Sequence, residues 1–427
     1  MEYSEFLEAK RKLHKGRPIP LIRPICSSLF PFQKVITQWA LKKGKSAIFA
    51  DCGLGKTIMQ LAWAEQIPGR VLIVAPLAVS EQTIREGRRF GIDIGRVGES
   101  RHIDITNYEQ LHKISSPDYQ GVVLDESSIL KNYAGKTRNK IIEMFAYTEY
   151  KLACTATPAP NDFMELGNHA EFLDICARTE MLAEYFVHDG GETQKWRLKK
   201  HATAAFWRWV SSWAMTLRNP ADIGFPGADF ILPELIIDNV VVRANYQEVG
   251  FLFPMQAATL EERRNARKHT VGDRAAAAAN LIRSKPDESW LVWCNLNREA
   301  DALRTLLGKE AVEIRGSDSQ ESKTGNMLAF TDGEIRVLIT KPSIAGHGMN
   351  WQHCHNVIFL GLSDSYEEFY QAIRRCWRFG QKENVTAYVI TSDVEGAVVA
   401  NINRKEASAT QLNNELISQY AIEELRA

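Results

Sequence analysis

Eight residues, Ala50 to Thr57 (Ala-Asp-Cys-Gly-Leu-Gly-Lys-Thr), combine the side chains and the backbone freedom that a bound phosphate demands. Gly53 and Gly55, flanking Leu54, let backbone N–H groups approach an anion with no side chain in the way. Lys56 adds a point charge near the outer phosphates, and Thr57 offers a hydroxyl to a divalent cation. The usual first glycine of such a loop is alanine at position 50. A Gly-Lys-Thr also arises by chance at helix starts, so the flanks matter. Here an apolar run, Ser46–Ala50, precedes the loop, and a helical pattern, Thr57–Gln66, follows it. Further on, "VVLDESSIL" (Val122–Leu130) is an apolar strand ending in two carboxylates. Asp125 is suited to holding Mg²⁺, and Glu126 to orienting or deprotonating a water. Alone, the pair reads as a strand end meeting solvent; together with the loop it reads as the second half of a triphosphate site. A third stretch, "QAIRRCWRFGQ" (Gln371–Gln381), places Arg374, Arg375 and Arg378 on an expected short helix. Arg375 and Arg378 are three apart and would share a face. By itself this is a solvated basic helix, but beside a triphosphate such guanidiniums stabilise charge on the transferring group.

The elements that must position these groups alternate along the chain. "SAIFA", "VLIVAP", "HIDITN", "GVVLDE" and "KLACTAT" read as strands, with helices after the first two and near Lys136–Phe145. Continuous apolar strands spaced by helices indicate an α/β fold with parallel sheets covered on both faces. Between Asp162 and Pro233 the pattern turns helical and rich in tryptophan (Trp196, Trp207, Trp209, Trp213), with an Asp-Gly-Gly turn inside "FVHDGGETQKWRL" that suggests a hairpin. Alternation resumes with "LIIDNVVV", "WLVWCNL", "AVEIRG", "IRVLIT", "NVIFLG" and "VTAYVIT". In the helix "READALRTLLG", Leu303, Leu306 and Leu307 are expected to face inward, with Gly308 at its end; Asp273–Ile282, with its alanine run, is expected to be a closely packed helix. The expected division is an N-terminal helix and extension over residues 1–28 (Tyr3, Phe6, Leu7 and Leu13 near one face), a first lobe over 29–162, a helical insertion and linker over 163–233, a second lobe over 234–397 and a C-terminal helix over 398–427.

The bulk numbers fit two or three ordinary globular domains. The 427 residues are 45% apolar and 24% charged, with a formal net charge of zero. A balanced total does not advertise a nucleic-acid partner, so any such contact must come from local basic patches. The seven cysteines form no CxxC pair, which points to reduced thiols and a cytoplasmic setting. The apolar runs are of strand length, so no membrane segment is expected.

Taken in order, these stretches resemble the Swi/Snf-related branch of helicase superfamily two, and the likeness runs over roughly Leu29–Thr391. The resemblance implies two tandem RecA-like lobes with ATP in the cleft between them and Mg²⁺ as its cofactor. "FPFQKVITQWAL" resembles the adenine-reading segment, with Gln33 as reader and Phe30 in place of the family's arginine. "VLIVAPLAV" and "ITNYEQL" resemble segments that touch the nucleic-acid backbone, and "LDESSILKNYAGKT" the run that follows the carboxylates. "LACTATPAPND" supplies the coupling threonines Thr155 and Thr157. In the second lobe Ser343, Gly346, Gly348 and Asn350 fall on the coupling loop, and Gln371, Arg375 and Arg378 on the arginine-finger segment. Two further positions depart from the family: Ser128 and Trp377 stand where it has histidines. The resemblance then implies altered wiring between hydrolysis and movement with the reactive groups left in place.

The implied function is an ATP-dependent translocase or helicase that moves along nucleic acid, with duplex DNA favoured over RNA. The rivals are an ATP-gated nucleic-acid clamp with little hydrolysis, to which Ser128 and Trp377 lend weight, and an RNA helicase. Smaller signals carry less. The pair His353 and His355 lacks a second ligand pair for a metal and reads as packing. The tryptophans of the insertion read as core before base-stacking surface. The basic flank with Lys195, Arg197, Lys199, Lys200 and His201 reads as a solvated face or, nearly as well, as a hairpin touching phosphates.

Overall fold

A computed structural model describes residues 13–188, 196–243, 268–345, 349–363, 365–393 and 396–419. Residues 1–12 of the expected N-terminal helix lie outside these, and Leu13, expected on its apolar face, is exposed and outside any helix. The Asp-Gly-Gly turn, Lys195, Gly346 and Gly348 also lie outside the described residues. The chain forms two compact units, Met1–Phe230 with Ser408–Ala427, and Ile231–Ala407.

The first unit is built on a seven-stranded parallel sheet. Its strands are β1 (Lys45–Ala50), β2 (Val71–Ala75), β3 (Ile94–Arg96), β4 (Ile103–Asn107), β5 (Gly121–Asp125), β6 (Tyr150–Cys154) and β9 (Ala214–Leu217), in the order β3-β4-β2-β5-β6-β1-β9. Alternate residues serve opposite faces. Ile48 and Ala50 of β1, with Ile73 and Val123, enter one core together with Met59, Leu61 and Trp63 of the helix Lys56–Ala64. Ala47 and Phe49, with Val74, Val122 and Leu124, enter the other. Full burial of one such aliphatic or aromatic side chain contributes about 1.5–3 kcal/mol, so two filled faces hold the strand ends in register.

The tryptophan-rich segment does more than form a helical insertion: it supplies the edge strand β9, which pairs in parallel with β1 from Ala47↔Ala214 to Ala50↔Leu217. Trp207, Trp209 and Trp213 are buried in the same core as Phe49. Two short antiparallel strands, β7 (Phe186–His188) and β8 (Trp196–Leu198), make the expected hairpin. Its basic flank has a structural task, since Lys199 Nζ donates to the carbonyls of Ala183 and Glu184 at 2.9 and 2.8 Å, closing the helix Arg178–Tyr185. The C-terminal helix, Gly396–Ile417, ends in this unit: Leu412 and Leu416 join its core, and Thr216 Oγ1 donates to Asn413 Oδ1 at 2.6 Å.

The second unit holds a six-stranded parallel sheet of β10 (Leu235–Val242), β11 (Trp290–Trp293), β12 (Ala311–Glu313), β13 (Val337–Thr340), β14 (Asn356–Phe359) and β15 (Val385–Ser392), ordered β10-β15-β14-β11-β13-β12. The two parallel sheets are those expected of tandem RecA-like lobes. The alanine-rich helix, Val271–Ser284, packs through Ala275, Ala278, Ala279 and Ile282, as the small side chains require for close approach. One inward assignment is corrected. Leu303 and Leu307 are buried, but Leu306 is 42% exposed, because it lies on the outer side of the helix Asn297–Leu307. Beneath the strand ends lies a fully buried ion pair. Arg274 Nη1 meets Glu299 Oε1 at 2.7 Å, Arg274 also binds the Leu360 carbonyl and Thr270 Oγ1, and Glu299 Oε2 accepts the N–H groups of Asn295 and Leu296.

Candidate functional site

In the first sheet β6 lies between β5 and β1, and all three run parallel, so their C-terminal ends share one edge. Ala50 ends β1, Asp125 ends β5 and Cys154 ends β6. The phosphate loop, the carboxylate pair and the threonines therefore emerge side by side, outside the carboxyl ends of a parallel sheet.

The loop turns through Gly53 and Gly55, whose φ angles of +89° and +76° lie in the left-handed region. Gly55 caps the helix Lys56–Ala64, and a Cβ there would stand 2.3 Å from Gln33 Nε2. Gln33 is 4% exposed; its Nε2 donates to the Leu54 carbonyl at 2.9 Å and its Oε1 accepts the Phe30 N–H at 2.9 Å. The expected adenine reader thus sits against the loop itself and ties the helix Pro31–Lys43 to it. Lys56 Nζ donates to the carbonyls of Ala50 and Asp51 at 2.9 and 3.4 Å, while Thr57 is half-buried in the first turn of its helix.

Asp125 is 6% exposed, and burial first, with the neighbouring Glu126 second, pushes its carboxyl up to about 6. Gln60 Nε2, donating to Oδ1 at 2.7 Å, Lys56 and the Glu126 N–H act in the opposite direction. Tyr108 OH donates to the Asp125 carbonyl at 2.6 Å. Glu126 adopts φ 52° and ψ 52°, a left-handed conformation that costs a non-glycine residue about 1–3 kcal/mol. Its Oε2 accepts from Thr155 Oγ1 at 3.4 Å, and Thr155 Oγ1 accepts the Thr157 N–H at 3.1 Å. The expected coupling threonines are thereby linked to the carboxylate expected to handle water.

The turn that follows Glu126, Ser127–Lys131, is fastened from the helix Leu166–Phe172. Ser127 Oγ lies 3.1 Å from His169 Nε2, and Asn168 Nδ2 donates to the Lys131 carbonyl at 3.1 Å. His169 is fully enclosed, and burial pushes its imidazole down to about 4, so it is neutral. Ser128 is buried, with Oγ 3.5 Å from the Glu126 carbonyl.

Sequence reasoning missed Gln60, Tyr108 and His169. Gln60 left one trace, since it lies four residues after Lys56 and so shares its helix face. Tyr108 and His169 are brought in by packing over 17 and 42 residues of sequence separation and left none.

The second unit places its expected residues as follows. The helix Tyr366–Ile373 ends before the arginines, so Arg375 and Arg378 share no helical face as expected. They converge differently: Arg375 Nη1 and Arg378 Nη1 both donate to the Met349 carbonyl, at 3.4 and 3.3 Å. Arg375 Nε also donates to the Gln371 carbonyl at 3.0 Å, and the Gln371 side chain is itself buried. Trp377, at a position where the family has histidine, donates from Nε1 to the Pro233 carbonyl at 2.7 Å. Asn350 is exposed, and Ser343 lines a cavity of about 350 Å³ at the C-terminal ends of β12 and β13, together with Asn297, Arg315, Thr340 and Lys341. His353 stands edge-on to Phe330, with ring centroids 4.9 Å apart.

Residues 273–380 match the helicase conserved C-terminal domain. Among curated proteins, the chain is similar to Helicase SWR1 of Debaryomyces hansenii, with 28% identity over 202 residues, covering 40% of this chain and 12% of that protein. It is also similar to the pre-mRNA-splicing ATP-dependent RNA helicase PRP28 of Cryptococcus neoformans, with 26% identity over 134 residues, covering 31% of this chain and 18% of that protein. The chain thus spans less than a fifth of the length of either relative. Among solved structures, it is similar to the Sulfolobus solfataricus SWI2/SNF2 ATPase core in complex with dsDNA, at 18% identity and a TM-score of 0.43, covering 95% of this chain and 98% of that one.

Proposed function

We propose that this chain, whose residues 273–380 match the helicase conserved C-terminal domain, is a member of helicase superfamily two and an ATP-driven nucleic-acid motor, hydrolysing ATP at the first unit's sheet edge to move along duplex DNA. One observation carries the reading: Lys56, Thr57, Asp125, Glu126 and Thr155 come together where β1, β5 and β6 end. In this proposal the backbone N–H groups of Gly53 and Gly55 and the Lys56 ammonium hold the β- and γ-phosphates. The buried Asp125 carboxylate and the Thr57 hydroxyl in the first turn of its helix are hard oxygen donors of the kind Mg²⁺ takes, and both are proposed as its holders. The metal would neutralise charge building on the phosphate oxygens. Glu126 orients the attacking water, and its link to Thr155 couples that carboxylate to the strand end of β6. Arg375 and Arg378 are proposed to reach the triphosphate during turnover and to stabilise the transferring group.

Nucleic acid would be held by its backbone. The cavity lined by Asn297, Lys341 and Ser343 offers an ammonium and a hydroxyl suited to a phosphodiester, while its Arg315 is paired with Asp301 and with Glu313 of the same cavity. Such contacts carry little sequence information and weaken steeply with salt. Preference for duplex DNA rests on the sequence likeness to the Swi/Snf branch, whereas the likeness to an RNA helicase favours RNA. The test compares ATP hydrolysis with no nucleic acid, with duplex DNA, with single strands and with structured RNA. Strongest stimulation by duplex DNA upholds the proposal. Stimulation by RNA alone replaces its substrate, and saturable nucleic-acid binding without turnover favours the clamp.

A further inference from the structure

The helix that delivers Lys56 presents a second polar side chain one turn later. Gln60 is 1% exposed and its Nε2 donates to Asp125 Oδ1 at 2.7 Å. Methionine or leucine would occupy nearly the same volume but would leave Oδ1 of the buried Asp125 without this donor. The carboxamide is thus committed to one oxygen of the expected metal ligand. Tyr108 OH holds the main chain of the same aspartate at 2.6 Å. Asp125 is thus fixed at its carbonyl and at one carboxylate oxygen.

A carboxylate can meet a cation through one oxygen or through two. Calcium accepts either mode in a loose shell of six to eight ligands, whereas magnesium requires a compact octahedron and takes carboxylate oxygens singly. Resting on the ATP-binding reading above, we propose that Gln60 is a positioning residue: it reserves Oδ1, leaves Asp125 as a one-oxygen ligand, and thereby tilts the site toward magnesium and against calcium. Hydrogen bonds to ligating carboxylates from the surrounding shell are worth about 10–100-fold in metal affinity. An effect of that size is expected in the ratio of the two metals.

The test is equilibrium binding of a fluorescent non-hydrolysable ATP analogue to the full chain, titrated with Mg²⁺ or Ca²⁺, for the wild type, Gln60→Met and Gln60→Leu. The wild type is expected to bind the analogue more tightly with Mg²⁺ than with Ca²⁺. In the variants that preference falls by about tenfold or more, while metal-free binding stays within about twofold. A purely structural Gln60 would instead weaken metal-free binding and leave the metal ratio intact, and that result overturns the proposal. A wild type with no preference for magnesium overturns it without recourse to any variant. Failure of the wild type to bind the analogue at all rejects the ATP reading itself, so the two failures are distinguishable.

Discussion

His169 ties the pH dependence of stability to the carboxylate turn. In the folded protein its imidazole is enclosed and pushed down to about 4, against 6.5 in an exposed setting. Below pH 6.5 the unfolded chain takes up a proton that the folded chain refuses, so the unfolded state binds more protons and stability falls as pH falls. The loss begins near pH 6.5 and saturates below the folded value of about 4. Integrated over pH 7 to pH 5, this one group costs about 2 kcal/mol, and over the whole window about 3 kcal/mol. His169→Gln places a neutral amide where Nε2 meets Ser127 Oγ and removes the titration. Urea unfolding of both proteins at several pH values between 7 and 5 isolates the difference, because carboxylates titrating in that range are common to both. The wild type is expected to lose about 2 kcal/mol more than His169→Gln. Parallel pH profiles would mean that the imidazole is hydrated or charged in the folded state, and the argument from its enclosure would be wrong.

Three further outcomes follow from particular contacts. Breaking the buried pair by Arg274→Met or Glu299→Leu alone costs about 3–5 kcal/mol, whereas the double substitution costs less than the sum of the two in urea unfolding, because no charge is left unpaired in the interior. Leu416→Ala, at a fully buried position where the C-terminal helix enters the first unit's core, destabilises that unit by about 2–5 kcal/mol, measured by denaturant unfolding. Arg378→Ala leaves binding of the ATP analogue intact but lowers nucleic-acid-stimulated turnover about a thousandfold; normal turnover would remove this arginine from the mechanism.

Much of the frame was legible because it rests on local patterns. Apolar runs such as Val71–Ala75 and Val122–Leu124 are strands buried on both faces, and their alternation with helices specifies parallel sheets. The phosphate loop was legible for the same reason, since its glycines, lysine and flanking strand are contiguous. What escaped reading was set by long-range packing. The strand β9 lies hidden among tryptophans whose burial outweighs any local strand signal. Three-residue β3 is too short to show a period. The arginine helix was extended past Ile373 because nothing in "RRCWRFGQ" forbids helix; the chain turns there so that Trp351 N–H can bond the Arg375 carbonyl at 2.9 Å. Leu306 looked inward by composition, yet the geometry of its helix places it outside. Gln60 with Asp125, His169 with Ser127, and Arg274 with Glu299 are pairs 65, 42 and 25 residues apart, and no local pattern announces them.

The central claim is that the edge where β1, β5 and β6 end hydrolyses ATP. It is tested most directly by ATP turnover on duplex DNA for the wild type beside Glu126→Gln, with analogue binding measured in parallel. The account predicts stimulated turnover in the wild type and its collapse in Glu126→Gln, with analogue binding preserved. Equal turnover in the two proteins, or none in a wild type that binds both Mg²⁺·ATP and DNA, would contradict it.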